Sequence, residues 1–516
     1  MADTGPYLLG LDAGNTVIKA VLFDRRGRQL AVHALDGRTV TPQPGYVERD
    51  LDELWRNAGE AIRACIETAA IDPSQIAAVG CAGHGNGLYL LDGDGEPLIG
   101  IQSLDTRAAE LAGLLRSERG ADLHALCLQE PWPSQTPVLL AWIKAHRPDL
   151  YKKAGTLLLS KDVITFKLTG ERVSDVSDMS GCGLTRMPDC VYDEELLTLY
   201  GLQSARDLLP RLVHPCDIAG KVTPEAASLT GLAAGTPVVG GFFDVIASAL
   251  GSGAVRPADA SIIAGTWSIN QVFSEFPVVD RSIFMVSGFA PDRFVNIDSS
   301  ATSAANLEWY VRELVERGGH HDDPFGYCND RIAEVTPAED DPFFLPFLYG
   351  SGQGAEFRAG FCGLAGWHGE GHLLRALFEG VVFEHRRHVG VLARAGVSFD
   401  RAILSGGGAR SPVWPRMFAD CLGVPIALAE TRETGALGAA VGAAVGAGFY
   451  PGYEAAVAAM TAHKETCQPD LSQKSRYDRR YGIYLKLIEA MRPIWQELSP
   501  GSAGGQQTAE SAATVS

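Results

Sequence analysis

Two segments about half a chain apart share one pattern of apolar runs on either side of a short polar turn. Residues 8–23 are apolar except around the turn at 13–16, and residues 260–273 repeat the pattern around 265–267. Short β-forming runs that flank a glycine-containing turn predict a β-hairpin. The repetition therefore predicts a duplicated α/β domain whose two turns face a shared cleft.

Further segments place helices and strands between and after the hairpins. Apolar positions with helical spacing predict helices, whereas short β-branched runs predict buried strands. Helices are expected at 51–69, 245–250, 373–395 and 412–422, and strands at 76–81, 88–91, 237–243, 402–405 and 424–428. The glycine-rich and alanine-rich run at 435–448 predicts a buried helix in close contact with its neighbour. A domain boundary is expected near 251–258, which gives domains 1–252 and 253–498. The tail at 499–516 has no apolar periodicity and is predicted to be disordered.

Composition and charge narrow the class of protein. The chain has 516 residues, of which 46% are hydrophobic, and a formal net charge of −18. Fibrous and disordered classes are excluded, nucleic-acid and anionic-membrane partners are disfavoured, and a monomer or a simple oligomer such as a homodimer is expected. The start lacks a basic segment, and no apolar run is long enough to span a membrane. Ten cysteines without a C-x-x-C pair are typical of reduced, buried thiols in a cytoplasmic protein.

The two hairpin turns carry residues that suit a polyphosphate. Small residues allow backbone N–H groups to approach phosphate oxygens, and hydroxyl and amide groups add donors. The residues concerned are Gly14, Asn15 and Thr16 in the first turn and Gly265, Thr266 and Ser268 at the second. Either turn alone is more typical of an ordinary hairpin, and the pair of turns, with an aspartate just before the first, favours phosphate binding.

Two aspartates follow apolar strands, where α/β proteins often place functional groups. Asp12 suits a hydrated Mg²⁺, or it forms an Asx-turn with its own loop. Asp244 follows Gly240-Gly241-Phe242-Phe243. It is either the N-cap of the next helix or a carboxylate that accepts a proton from an attacking hydroxyl.

Other polar motifs leave a structural and a functional interpretation open. His84 and Gly85 lie in the loop Gly83-His84-Gly85-Asn86-Gly87, which can bring a ligand close to the backbone. Asp105-Thr106-Arg107 suits a polyhydroxylated ligand or a surface ion pair. Gly406-Gly407-Gly408-Ala409-Arg410 is typical of a nucleotide-binding turn. His385 and His388 lie one helical turn apart, a spacing compatible with a metal, but without a third ligand we expect a solvated helix face.

The order and spacing of these motifs resemble those of the FGGY carbohydrate kinases. The resemblance runs from about Tyr7 to about Leu487 and rests on the first hairpin, the His84 loop, Asp105-Thr106-Arg107, Gly240 to Asp244, Gly265-Thr266-Trp267 and Gly406-Gly407-Gly408. The segments 42–50, 88–92 and 346–350 are most similar to the L-xylulose (3-keto-L-gulonate) kinase branch. The chain departs from the family at Leu139, where a lysine is usual.

The resemblance implies a fold, a reaction and roles for individual residues. The implied fold is α/β, with two ribonuclease-H-like domains of the actin/hexokinase type flanking a catalytic cleft, the first binding sugar and the second nucleotide. The implied reaction transfers a phosphoryl group from ATP, with Mg²⁺, to a small-molecule sugar. The implied roles are Asp244 as catalytic base, Asp12 at the metal, His84, Gly85, Asp105 and Arg107 at the sugar, and Gly14, Asn15, Thr16, Lys19, Gly265, Thr266, Gly406, Gly407, Gly408 and Arg410 at ATP.

Three alternatives remain open at this point. A tetritol or pentitol kinase would carry the same motifs. A sensor that binds sugar or nucleotide without turnover would have no need of Asp244. An actin-like ATPase would hydrolyse ATP without sugar, whereas the His84 and Asp105 loops favour a small polyol.

Overall fold

The computed structural model describes residues 5–352, 354 and 356–498. The predicted disorder of the tail concerns 499–516 and lies outside the described residues, as do residues 1–4. Within the described part of the chain, no helix combines the length and the apolar character that crossing a membrane would require.

The first half of the chain forms sixteen strands and nine α-helices among the described residues. The strands are β1 (Tyr7–Ala13), β2 (Val17–Phe23), β3 (Gln29–Asp36), β4 (Thr39–Val40), β5 (Glu48–Arg49), β6 (Ile76–Gly83), β7 (Leu88–Asp92), β8 (Pro97–Ile101), β9 (Ala154–Leu158), β10 (Val173–Asp175), β11 (Thr185–Arg186), β12 (Val191–Tyr192), β13 (Arg211–Val213), β14 (Ile218–Lys221), β15 (Pro237–Val239) and β16 (Phe242–Phe243). The helices are α1 (Leu51–Ala69), α2 (Ala109–Cys127), α3 (Thr136–His146), α4 (Pro148–Lys153), α5 (Ser160–Thr169), α6 (Val176–Gly181), α7 (Glu194–Leu199), α8 (Pro224–Thr230) and α9 (Asp244–Ser252).

The second half forms nine strands and eight α-helices among the described residues. The strands are β17 (Asp259–Ala264), β18 (Ser268–Ser274), β19 (Met285–Ala290), β20 (Arg293–Ser300), β21 (Phe343–Leu345), β22 (Gly360–Cys362), β23 (Arg401–Ser405), β24 (Ile426–Ala429) and β25 (His463–Cys467). The helices are α10 (Ala305–Tyr310), α11 (Glu316–Gly318), α12 (Pro324–Ala333), α13 (Glu370–Arg394), α14 (Trp414–Leu422), α15 (Thr434–Gly446), α16 (Tyr453–Met460) and α17 (Leu471–Glu497).

The main sheets of the two halves have the same internal order. In the first, β3-β2-β1-β6-β15 runs through two antiparallel pairs and then two parallel pairs. In the second, β20-β18-β17-β23-β24 repeats this sequence of pairings. The two predicted hairpins are β1–β2 and β17–β18. The duplicated α/β architecture expected from the sequence is therefore confirmed.

Helices α9 and α15 join the two halves through one hydrophobic core. They pack against each other, and α15 also covers β1 and β6 of the first sheet. A Cβ atom on Gly438 would overlap the main-chain oxygen of Ala247, and one on Gly10 or Gly80 would overlap oxygens of α15. Since only glycine permits these approaches, the composition of 435–448 reflects close packing, as predicted. The predicted division at 252/253 falls between α9 and β17.

Two expectations on burial are wrong. His385 and His388 are buried on α13 rather than on a solvated face, because this helix packs against β18 and β20 and also contacts α14. All ten cysteines are free, as expected of reduced thiols, but Cys190, Cys216, Cys362 and Cys467 are only half-buried.

Candidate active site

Asp244 lies where three neighbouring strands end. In the parallel pairing of the first sheet, Ala13 of β1 lies beside Gly83 of β6, and Gly83 lies beside Phe243 of β16. Asp244 follows Phe243 directly and is the first residue of α9, whose N-cap is Phe243. The interpretation of Asp244 as an N-cap is therefore wrong. Its carboxyl group instead faces the edge of the sheet at which the first turn and the His84 loop also lie.

Asp12 and Asp244 influence each other's ionisation. Burial raises the pKa of Asp244 to about 8, and the charge of Asp12 adds to the shift. Burial also raises the pKa of Asp12 to about 6, where the ammonium of Lys19 opposes the shift and Glu433 adds to it. Lys19 Nζ is 2.8 Å from Glu433 Oε2, so this cation already has a carboxylate partner. The half-buried carboxyl groups of Asp12 and Asp244 therefore lie near each other, and the charge of the nearby Lys19 ammonium is balanced by Glu433.

A cavity of about 140 Å³ opens beside Asp244. Residues of the first half line one side and residues of the second half line the other. The lining comprises Asn15, His84, Gly85, Asn86, Ser103, Leu104, Trp132, Phe243, Asp244, Val245, Trp267, Ile269, Phe284, Met285, Ile297 and Ser299. The predicted residues His84, Gly85 and Asp244 thus come together, and Asn15 joins them.

His84 and Asn86 provide buried polar atoms that lack partners among the residues that the structure describes. His84 Nε2 is 2.8 Å from the hydroxyl of Tyr89, whereas His84 Nδ1 and Asn86 Oδ1 have no hydrogen-bond partner. Burial and the charge of Arg49 lower the pKa of His84 to about 3, so the imidazole is neutral. Unpaired buried polar atoms beside a cavity are the groups that a ligand with hydroxyls would satisfy.

The first turn is held by groups that the sequence analysis did not single out. Arg49 Nη1 donates to the main-chain oxygen of Gly14 at 3.1 Å, and Gln102 Nε2 donates to that of Asn15 at 2.6 Å. Asn15 Nδ2 donates to Ser103 Oγ at 3.0 Å. Thr16 is exposed at the tip of the turn. Asn15 therefore faces the cavity of His84, whereas Thr16 faces solvent.

Asp105 and Arg107 form a buried ion pair that does not line this cavity. Arg107 donates to Asp105 through Nε and Nη2, at 2.9 and 2.8 Å, and to Glu48 Oε1 at 2.7 Å. Its guanidinium lies 4.1 Å from the centre of the Tyr46 ring. Asp105 Oδ2 also accepts the main-chain N–H of Val47 at 2.6 Å. These contacts connect the 46–48 segment to the start of α2. The Asp105 carboxylate and the Arg107 guanidinium are therefore already hydrogen-bonded to groups of the protein.

The glycine turns of the second half lie next to each other. A Cβ on Gly406 would lie 2.9 Å from the main-chain oxygen of Ala264, and one on Gly408 would lie 2.7 Å from Ala264 Cβ. The turn Gly265–Thr266 follows Ala264 directly. Thr266, Gly406, Gly407 and Arg410 are exposed. Of the residues predicted for ATP, those of the second half thus gather at the carboxyl ends of the parallel strands β17 and β23, whereas Gly14, Asn15, Thr16 and Lys19 belong to the first hairpin.

A buried ionic cluster beneath the His84 loop was missed by the sequence analysis. Lys161 Nζ is 2.5 Å from Asp162, 2.7 Å from Asp175 and 3.1 Å from Asp178, and all four side chains are buried. Ser177 Oγ donates to Asp175 and accepts the main-chain N–H of Phe243 at 3.0 Å. Since the lysine ammonium occupies the centre, the three carboxylates have a cation already. Charged residues among apolar ones at 160–178 were the available signal.

The sequence matches one protein family over most of its length. Residues 7–251 match the family model for the N-terminal domain of the FGGY family of carbohydrate kinases, and residues 260–447 match that for the C-terminal domain.

Individual relatives share this family. The chain is 35% identical over 490 residues to the L-xylulose/3-keto-L-gulonate kinase of Escherichia coli strain K12, which covers 94% of this chain and 97% of that protein. It is 35% identical over 498 residues to a probable L-xylulose kinase of Haemophilus influenzae, with 95% and 99% covered. Among solved structures, the xylulose kinase of Rhodospirillum rubrum superposes with a TM-score of 0.86 at 30% identity, covering 95% of this chain and 100% of that one.

Proposed function

The chain belongs to the FGGY family of carbohydrate kinases, and from this membership we propose that it transfers the γ-phosphoryl group of MgATP to a hydroxyl of a ketopentose or a related sugar. The names of the bacterial relatives make L-xylulose and 3-keto-L-gulonate the first candidate acceptors. The observation that carries the proposal is the position of Asp244, which lines one cavity with His84 and lies close to Asp12.

Asp244 is the proposed general base. Phosphoryl transfer needs the attacking hydroxyl in line with the γ-phosphorus and an acceptor for its proton. The carboxylate orients the sugar hydroxyl and takes the proton as the new P–O bond forms. Burial supports this role, because a carboxylate whose pKa is raised to about 8 is a stronger base than an exposed one.

Asp12 is the proposed anchor for Mg²⁺. Its carboxylate oxygens are suitable ligands for this cation. Among the described residues, the ammonium that acts on Asp12 is that of Lys19, which is already paired with Glu433. Mg²⁺ would offset the charge of the phosphate oxygens and favour the ionised form of Asp244. Asp12 would hold the cation close to Asp244.

His84, Gly85, Asn86 and Asn15 are the proposed sugar contacts. The neutral imidazole of His84 and the amide of Asn86 each offer a polar atom without a protein partner. The rings of Trp132, Trp267 and Phe284 close the apolar side of the cavity. Such a cavity binds the C–H face of a small sugar and a few of its hydroxyls at once. Asp105 and Arg107 support the pocket from outside by bracing the 46–48 segment.

The remaining predicted residues are the proposed phosphate and adenosine contacts. Thr16 and Thr266 offer hydroxyl donors, and Gly14 and Gly265 leave the two turns open to phosphate oxygens, although their own N–H groups donate to the main-chain oxygens of Val17 and Trp267. Lys19 lies beside Asp12 in the pairing of β1 with β2. Gly406, Gly407, Gly408 and Arg410 would hold the adenosine. We accordingly propose 1–252 as the sugar-binding domain and 253–498 as the nucleotide-binding domain.

The first test is a panel of acceptors in the presence of MgATP. ADP release is followed with L-xylulose, D-xylulose, L- and D-ribulose, 3-keto-L-gulonate, erythritol, xylitol and glycerol. Asp244→Asn is expected to lower kcat by about 10²–10⁴-fold with KM changed little, as loss of a general base does. Asp292→Asn, in an exposed hairpin turn with positive φ that asparagine also tolerates, is the matched control.

The outcomes separate the competing functions. Turnover with one or two ketoses that is lost in Asp244→Asn and kept in Asp292→Asn supports the proposal. Turnover with erythritol or xylitol would make the protein a polyol kinase. A slow ADP release that no acceptor raises, and that Asp244→Asn shares with the wild-type protein, would refute catalysis by Asp244.

A further inference from the structure

Two buried histidines on α13 bind side chains that lie opposite each other in the second sheet. His388 Nδ1 is 2.5 Å from Asp298 Oδ2, and His385 Nδ1 is 2.9 Å from Asn270 Oδ1. Asn270 and Asp298 are direct partners in the antiparallel pairing of β18 with β20. The three-residue spacing of the histidines on the helix therefore matches the width of one strand pair.

The other ring nitrogen of each histidine binds a serine that follows the same strands. His388 Nε2 is 2.8 Å from Ser300 Oγ, and His385 Nε2 is 3.0 Å from Ser303 Oγ. With Nδ1–H donated to an oxygen, Nε2 of each ring accepts the serine hydroxyl. Each histidine thus forms hydrogen bonds to one side chain of a strand and to one serine of the segment 300–303.

The serine segment in turn holds the turn that faces the cleft. Ser268 Oγ donates to the main-chain oxygen of Ser300 at 3.0 Å and lies 3.0 Å from Thr302 Oγ1. The main-chain N–H of Ala304 donates to the oxygen of Gly265 at 2.8 Å. The hydrogen-bond chain therefore runs from α13 through Ser300 and Thr302 to the Gly265–Ser268 turn.

His388 is also connected, through Asp298, to the wall of the candidate sugar cavity. Asp298, its partner, accepts the main-chain N–H of Phe284 through Oδ1 at 3.2 Å. Ile297 and Ser299, which alternate with Asp298 along β20, line the cavity together with Phe284. One face of this strand segment therefore contacts the cavity and the other contacts His388.

Asp298, His388 and Ser300 have the connectivity of a hydrolytic triad, but the surroundings exclude that role. Ser300 is 2% exposed, and its Oγ is also 2.8 Å from Thr302 Oγ1. A nucleophile needs an open approach to its oxygen, whereas this hydroxyl is enclosed and shared. A buried chain of satisfied hydrogen bonds instead gives rigidity to the groups at its ends.

We propose that His388, together with His385, is a positioning residue that sets the Gly265–Thr266 turn and the β20 wall of the sugar cavity for catalysis. The inference rests on the proposed function, because it treats that turn as the phosphate-binding one. His388 is not among the residues that line the candidate sugar cavity, and it acts through Ser300 and Asp298. Displacement of the turn by about 1 Å lowers activity by up to roughly 100-fold.

The test compares variants that break one, both or neither of the bonds of His388. His388→Ala removes both bonds and should weaken MgATP binding, measured by calorimetry, by roughly 10–100-fold and lower kcat with the best acceptor. His388→Gln retains a polar group near Ser300 and should recover MgATP affinity, whereas His388→Asn retains one near Asp298 and should not. Ser300→Ala, which removes one hydroxyl only, should weaken MgATP binding in the same direction.

The control is Phe383→Leu, on the same helix. Phe383 is fully buried and packs against Tyr477, Tyr481 and Tyr484, away from the histidine network. At an equal loss of melting temperature it should leave the Kd for MgATP unchanged. A Kd that rises equally in His388→Ala and Phe383→Leu, or a Kd that is unchanged in both His388→Ala and Ser300→Ala, would overturn the inference. Failure of the wild-type protein to phosphorylate any acceptor would instead refute the proposed function, because MgATP binding is measured without sugar.

Discussion

At the scale of single residues, burial raises the pKa values of Asp12 and Asp244, and the pKa of a general base affects both its strength and its ionised fraction. Burial raises the pKa of both carboxyl groups, and the charge of Asp12 raises the pKa of Asp244 further. A base with a raised pKa is a better proton acceptor but is less often ionised at neutral pH. This compromise leads to two predictions on pH.

The first prediction concerns activity. With both substrates below saturation, kcat/KM reports ionisation in the free protein, and it should rise with pH toward a plateau above about 8, the pKa of Asp244. Initial rates of ADP release between pH 6 and 9.5 would check this. A profile that falls with rising pH over this range would contradict a base at Asp244.

The second prediction concerns stability. Because the pKa of Asp244 is raised from 3.8 to about 8, the folded protein holds a proton that the unfolded chain has lost, and stability decreases as pH rises from about 4 to about 8. Asp244→Asn carries no such ionisation and should melt at a higher temperature than wild type, by more at pH 9 than at pH 5.5. Calorimetric scans at the two pH values test this, and a difference that does not grow with pH would contradict the assignment.

The third prediction concerns Arg107. Arg107→Met leaves the carboxylate of Asp105 buried without its cation and should lower the free energy of unfolding by about 3–5 kcal/mol, while KM for the sugar changes less than about threefold. Arg186→Met is the control, since its pairs with Asp193 and Glu195 are partly exposed and such pairs contribute about 1 kcal/mol or less. A large rise in KM without loss of stability would indicate direct contact of Arg107 with sugar.

At the scale of elements, the contact between α9 and α15 determines where Asp244 lies relative to the second half. Asp244 begins α9, and α15 packs on α9, β1 and β6 at once. Glycines of α15 and of the two strands permit the approach of main-chain atoms. The glycine-rich composition of α15 therefore positions the sheet edge at which Asp244 lies, as well as filling the core.

The fourth prediction tests this contact. Gly438→Ala places a methyl group against the main-chain oxygen of Ala247 and should destabilise the protein by about 1–3 kcal/mol or more. Gly113→Ala, on the exposed face of α2 with open space around it, should instead stabilise by about 0.5–1 kcal/mol. Chemical unfolding of the two variants gives both signs, and equal effects would contradict the close packing.

At the scale of the whole molecule, the candidate sugar cavity belongs to both halves. Trp132 comes from the first half and Phe284 from the second, and their rings lie 5.7 Å apart at an edge-to-face angle of 60°. Any movement of one half against the other changes this contact. A cleft built in this way can close over its ligand and exclude water from the phosphoryl group.

The fifth prediction follows from this arrangement. Binding of the accepted sugar should change the intrinsic tryptophan fluorescence, because Trp132 and Trp267 both line the cavity. Trp267→Phe should remove a large part of the change, whereas Trp367→Phe should not, since Trp367 is 72% exposed and lies outside the cavity lining. An undiminished signal in Trp267→Phe would place the sugar elsewhere.

Local sequence patterns were sufficient to predict the duplicated α/β architecture and most of the elements that build it. Helix α1 begins after Asp50, whose side chain caps it, and ends at Ala69 as its apolar spacing predicted. The two hairpins were predictable because residues adjacent in sequence form them. Local patterns of this kind also marked Asp12, His84 and Asp244, since each follows a readable apolar strand or lies in a glycine-rich loop.

Which polar groups face a cavity, and which are already bonded to other residues of the protein, could be read from the folded structure alone. Arg107 is paired with Glu48, Lys19 with Glu433, and His388 with Asp298, across 59, 414 and 90 positions of sequence. Local sequence gives no information about partners at such separations. Histidines in a polar run on a long helix are expected to lie on an exposed face unless the position of the neighbouring sheet is known. The chemistry available at a residue thus depends on contacts that the chain makes only when it is folded.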